Sequence, residues 1–282
     1  MRSIAIAVLK TLAVAAVYLV VTPLLHKVLH VGASIEGAPR MPLLVLMSVL
    51  TIGLLVVAFN LVKDLLPVRG SCAKGIAFTV VFYFLLVLVP TLLGMIAFET
   101  DAEWMWLTPK KVGTYLTLLC DCVAYLAVGA VMGWLFPSRT SRRLPPTRHL
   151  ALAMSVGAIV FPLMMWATMW ATAFLRPLGL RSSWWFNLTF YGPFVLTGVC
   201  LPLLHLIVRQ RCAGRGRGLL ATVLVFALLW LPIQNFLVVF GWSFIGPFIF
   251  SLVSLAPAAL IIALAEVVVG RDGLPLARQA RC

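Results

Sequence analysis

Asp121 is the one carboxylate near the middle of a long apolar stretch in this 282-residue sequence, in the run TLLCDCVAY. An ionised carboxylate in hydrocarbon costs several kcal/mol, so a group there is protonated, paired or wetted. Two chemistries follow. Asp121 either takes up a proton or cation from a solvated path, or is satisfied locally by Thr117 and Tyr125, four residues to either side on the same helical face. No basic residue falls at its depth: Lys10 lies nearer the opposite end of its own stretch, and Lys110 and Lys111 lie outside the span. Cys120 and Cys122 flank it on divergent faces with no histidine cluster, so no metal site and no cofactor is expected.

A second group follows Pro232. Gln234 and Asn235 place an amide pair beside the Leu228 carbonyl, which the proline leaves without its N–H donor. Pro90 does the same to the Leu86 carbonyl in an earlier helix. Pro90, Asp121, Pro232, Gln234 and Asn235 are therefore the candidates for a substrate path. The competing reading is that the prolines are tolerated kinks and the amides only bond neighbouring helices. Asn60 and His205, near the basic ends of their spans, form a candidate inner-gate pair, although both can reach interfacial water there, as can Glu266. In MWATMWATA, Ala167 stacks over Ala171, which reads as a helix-packing seam, with Trp166 and Trp170 as an alternative aromatic wall.

These residues are carried by a chain that is 63% hydrophobic and 11% charged, far from the composition of a soluble domain. Continuous apolar runs without ten-residue alternation predict transmembrane helices rather than a barrel. Eight spans are expected, at 4–25, 41–62, 75–98, 112–136, 150–175, 186–208, 218–240 and 244–269. The segment 137–149, with four arginines and three prolines, is the expected basic linker between two halves, 1–136 and 150–282.

The net charge of +14 has a direction. Of the 22 Lys and Arg residues, fifteen fall at the N-terminus, in the second, fourth and sixth loops and in the tail, against six in the other loops, with Lys10 in span one. This positive-inside pattern places both termini in the cytoplasm, in a membrane of the bacterial inner-membrane kind. The partners it implies are anionic lipid headgroups on the cytoplasmic face and, for the packing seam, a membrane subunit; nucleic acid is not expected.

Within that frame the stretch 209–240 echoes 63–98. Both have a Cys-Ala pair in a basic loop (Cys72-Ala73, Cys212-Ala213), then a cation-Gly pair (Lys74-Gly75, Arg217-Gly218), then a threonine four residues on (Thr79, Thr222). Pro90 and Pro232 follow, each eight residues before a phenylalanine. The echo predicts an all-α protein of two parallel four-helix repeats with any site between them. Chance similarity between two apolar helices is the alternative.

Absences narrow the function. The sequence holds no HExxH, GxSxG or Walker A pattern and no pair of intramembrane aspartates. The expectation is a transporter or permease, or a membrane subunit of a transport system, for an apolar or weakly polar solute. The alternative is a non-catalytic scaffold or assembly subunit. An intramembrane lipid-modifying enzyme or protease ranks last, because Asp121, Glu266, His205 and the cysteines are not expected to meet in pairs at one depth.

Overall fold

The computed structural model describes residues 2–29, 41–90, 109–138, 149–171, 192–212, 214–235 and 245–269. Among these residues there are helices and connecting turns and no strand. In chain order they are α1 (Arg2–Val28), α2 (Met41–Val62) closing in a 3-10 turn at Lys63–Leu65, and α3 (Ser71–Phe78), which runs on through a π-helical segment, Thr79–Leu88. Then come α4 (Pro109–Leu135), α5 (Leu150–Ala171), α6 (Phe194–Arg209), α7 (Arg215–Asn235), α8 (Ile245–Val253) and α9 (Leu255–Val269).

Among the described residues six helical stretches are long and apolar enough to cross a membrane: Ile4–Val28, Val45–Leu65, Ser71–Leu88, Leu150–Thr168, Arg215–Pro232 and Ser251–Val268. Shorter apolar helices cover Leu119–Leu135 and Phe194–Arg209. Their outward faces carry large apolar side chains such as Leu9 (68% exposed), Leu46 (62%), Ile159 (64%) and Leu220 (62%). Water would not tolerate so continuous an apolar exterior, whereas lipid is its natural solvent. The chain is a polytopic helical membrane protein.

Without a hydrophobic drive between helices in lipid, close approach depends on small residues. Two seams supply it. Gly75 on α3 and Gly129 on α4 meet so tightly that a Cβ on either would collide with the other's carbonyl, and Gly133 presses on the Ser71 backbone. Gly157 on α5 and Gly198 on α6 make the same reciprocal contact. The ends that carry basic loops gather at one end of the bundle. There Lys10 reaches Leu135, Ser71 and Lys74 meet Ser138, and Leu206, Ala265, Leu150 and Val268 cluster.

Helix neighbours fall into two sets. In the first, α1 packs on α2 and α4, and α3 packs on α4. In the second, α5 packs on α6 and α9, and α7 packs on α9. Two principal contacts join the sets: α2 on α7, and α6 on the π segment after α3, which also touches α7.

Local differences from the expected spans have physical causes. The run expected as one helix over 244–269 breaks at Ser254, because Pro257 gives no N–H to the Val253 carbonyl and is tolerated only in the first turn of the new helix, α9. The Trp230 indole donates to the Ser254 hydroxyl at 2.7 Å, and that hydroxyl donates to the Ser251 carbonyl at 2.8 Å, so the break is hydrogen-bonded. Lys74, expected in a loop, lies inside α3 and is 1% exposed. The turn before it hinges on Gly70 at φ 85, a left-handed conformation that favours glycine.

Candidate functional site

The central polar group is carried by α1, α4 and the π segment. The Tyr83 hydroxyl donates to the Tyr125 hydroxyl at 3.0 Å, and the Tyr125 ring lies 4.5 Å from that of Tyr83 and 4.9 Å from that of Tyr18. Asp121 stands one turn along α4 from Tyr125 and is half-buried. Tyr125 therefore turns to Tyr83 rather than to Asp121, and no described side chain bonds the Asp121 carboxylate. The Thr117 side chain lies outside the described residues.

The register of α1 against α4 sets what faces Asp121. Lys10 Nζ donates to the Leu135 carbonyl at 2.8 Å and sits 5.7 Å over the Phe136 ring, while Tyr18 meets Tyr125 eight residues further along α1. In this antiparallel pair Thr22 falls level with Asp121, and His26 lies one turn further from the basic end. His26 Nε2 is buried without a hydrogen-bond partner, and the buried Thr22 Oγ1 has only the Tyr18 hydroxyl within reach. Pro23 between them leaves the Leu19 carbonyl without its helical N–H.

The second group lies where the two helix sets touch. Pro90 supplies no N–H to the Leu86 carbonyl, and that carbonyl accepts the Thr197 hydroxyl of α6 at 2.7 Å, fully buried. The π segment opens the helix just before this point, with the Val89 N–H bonding the Phe84 carbonyl five residues back. Pro232 is buried in α7. The side chains of Gln234 and Asn235 lie outside the described residues.

The third group closes the basic end. Lys74 Nζ donates to the Ser138 hydroxyl at 2.8 Å, which donates to Asp64 at 2.7 Å. Arg211, from the α6–α7 connection, lies 3.6 Å from Asp64 and donates to the Leu61 carbonyl at 2.6 Å, so it ties the two helix sets together. Across the bundle, His205 on α6 stands 3.0 Å from the Thr222 hydroxyl of α7 and 2.8 Å from Glu266 on α9. Arg209 reaches Glu266 at 3.2 Å and Arg215 at 3.6 Å. The Arg209 side chain crosses Gly218 where a Cβ would collide with it.

The expectation that no two ionisable groups meet is thus corrected by His205 and Glu266. Position near a helix end predicts interfacial water for each, yet both belong to a buried network. The signal was present: Glu266 is the single acid between 150 and 269, while His205 and Arg209 share one helical face. The set has the outline of a hydroxyl–imidazole–carboxylate triad. However, the Thr222 hydroxyl stands 2.7 Å from the Gly218 carbonyl and 3.0 Å from His205 Nδ1, with one proton for the two of them, and the tautomer of His205 sets which it serves. A hydroxyl that is 0% exposed is not placed to attack a substrate. The arrangement clamps α6, α7 and α9.

Of the remaining candidates, Asn60 bonds its own helix at the Val56 carbonyl and does not meet His205. Ala167 faces outward, and the Ala171 side chain lies outside the described residues. Among the described residues no three His, Cys, Asp or Glu side chains group as metal ligands, and Cys72, Cys120, Cys122, Cys200 and Cys212 are free thiols. The chain matches no family model, and comparison with curated proteins and with solved structures found no significant match.

Proposed function

We propose that this chain is a transporter or permease, or the membrane subunit of a transport system, for an apolar or weakly polar solute. It crosses the membrane eight times with both termini in the cytoplasm, as two parallel four-helix halves, 1–136 and 150–282, about an axis along the membrane normal. Helix neighbours support this pairing. If α1, α2, α3 and α4 correspond to α5, α6, α7 and α9, the contact of α2 with α7 has its counterpart in that of α6 with the π segment that continues α3.

One observation carries the transport reading. Aligning Thr51 of α2 with Thr197 of α6 matches the buried positions Ile52 with Gly198, Leu55 with Leu201, Phe59 with His205 and Val62 with Val208. Thr197 bonds the carbonyl freed by Pro90, whereas Thr51 is buried without a partner on a helix that packs against α7, whose Leu228 carbonyl is freed by Pro232. Two equivalent latches, one made and one open, describe halves caught in one of two arrangements, as alternating access requires. A static scaffold has no need of the open one.

Asp121 is the coupling group in this reading. In vesicles with a proton gradient, a panel of labelled apolar and weakly polar solutes should include one that the wild type accumulates and Asp121→Asn does not. Accumulation that is indifferent to the gradient and to Asp121→Asn removes Asp121 from the mechanism. The enzyme alternative rests on the His205–Glu266 contact; turnover of a lipid or peptide that is lost in His205→Asn would favour it.

A further inference from the structure

The groups that line α1 opposite Asp121 point to a ligand more specific than a solute path. From Tyr18 to His26 the helix holds the Thr22 hydroxyl, within reach of the Tyr18 hydroxyl alone, the buried His26 Nε2 without a partner, and the Leu19 carbonyl freed by Pro23. Orphaned polar atoms are rare inside proteins and costlier still within a membrane, because no bulk solvent can satisfy them. Small ordered waters are the usual remedy, and each needs two to four polar neighbours. Here Thr22, His26, the Leu19 carbonyl and the half-buried Asp121 carboxylate supply them along one helix pair.

We propose that a hydrated half-path enters from the end of the bundle opposite the basic loops, passes His26 and Thr22, and ends at Asp121, which takes up a proton from that side. The titratable groups around its end are Tyr18 on α1, Tyr83 on the π segment, and Cys120, Cys122 and Tyr125 on α4. Tyr83 and Tyr125 bond each other, and their rings, tilted at 45° with centroids 4.5 Å apart, stop the path on the inner side. Nearer the basic end Lys10 is bound to Leu135 and covers Phe136, so water from that end does not reach Asp121 in this arrangement. The inference rests on the transport reading for its purpose but not for its existence.

The test uses single cysteines in a chain cleared of its own six, at Thr22→Cys and His26→Cys inside the path and at Val20→Cys and Leu24→Cys on the lipid face (64% and 57% exposed). A thiol reacts as the thiolate, which forms in water and not in lipid, so the first pair should label on the order of tenfold faster than the second. A membrane-impermeant methanethiosulfonate should do so only from the side opposite the basic loops. Hydroxyl-radical footprinting of the unaltered chain provides a readout that no variant can spoil: Tyr18 and His26 should be oxidised. Labelling of the two path positions no faster than of the lipid-facing pair, or Tyr18 and His26 unmodified, overturns the path. A labelled path in a chain that accumulates no solute removes the transport reading and leaves the path standing. Accumulation without labelling does the reverse.

Discussion

The hydroxyl of Thr197 lies 2.7 Å from the carbonyl of Leu86, in the other helix set and 111 residues away. Pro90 has no N–H to offer that carbonyl, and a buried carbonyl in a membrane needs a donor. A hydrogen bond of this kind between membrane helices contributes about 0.6 to 2 kcal/mol. Thr197→Val should therefore destabilise the chain by that amount in reversible denaturation from mixed micelles. Thr51→Val, which removes no bond, should cost less. Equal losses for both would show that the two threonines are not in different states.

The Gly157–Gly198 seam admits no side chain. Gly157→Ala or Gly198→Ala should separate α5 from α6 and cost on the order of 1 to 3 kcal/mol or more, the usual range for overpacking. Gly214 and Gly216 have no atom within 4 Å of an added Cβ, so alanine there should leave stability nearly unchanged. Thermal aggregation of the four variants in one detergent separates the two classes.

Glu266 holds His205 and Arg209, both buried, and Arg215. Removing one partner of a buried pair leaves the others uncompensated and costs about 3 to 5 kcal/mol. Glu266→Gln should accordingly be among the most destabilising single changes at the basic end. Arg211→Gln breaks a solvent-exposed pair with Asp64 and an exposed bond to the Leu61 carbonyl, and should cost about 1 kcal/mol. Denaturation midpoints that rank the two variants the other way would contradict the assignment of Glu266 as the clamp.

The Trp230 indole steadies the break between α8 and α9 through Ser254. Trp230→Phe keeps most of the ring but loses the donor, at a cost of about 1 kcal/mol. Hydrogen exchange should then rise at residues 251–257 ahead of the rest of α9; unchanged exchange would show that the break does not depend on this bond.

Helices were legible from the sequence because apolar length alone demands them in lipid. The break at Ser254 was less so: Pro257 was visible, but prolines at 162, 202 and 232 leave their helices continuous, and only the Trp230–Ser254 bond distinguishes this one. Asp121 and Pro90 were legible as singular polar or backbone events. The partner of the Leu86 carbonyl was not, since Thr197 is an ordinary helix residue until packing fixes what it faces. His205 and Glu266 are 61 residues apart, and judging each by its distance from a helix end concealed their meeting. The proposal of paired halves rests on a short echo at Gly75 and Gly218, where both threonines bond back to the glycine carbonyl, Thr79 at 3.0 Å and Thr222 at 2.7 Å.

The central claim is that the two halves exchange between arrangements, and it can be measured without knowing the solute. In a cysteine-cleared chain reconstituted in lipid, spin labels at Leu9→Cys and Leu220→Cys report the basic end, and labels at Leu24→Cys and Leu163→Cys report a pair of positions further from it, all on exposed faces. Pulsed electron paramagnetic resonance should find two distance populations in each pair, and Thr197→Val should shift their balance. A single narrow distance in both pairs, unchanged by Thr197→Val, would contradict exchange and leave a rigid scaffold.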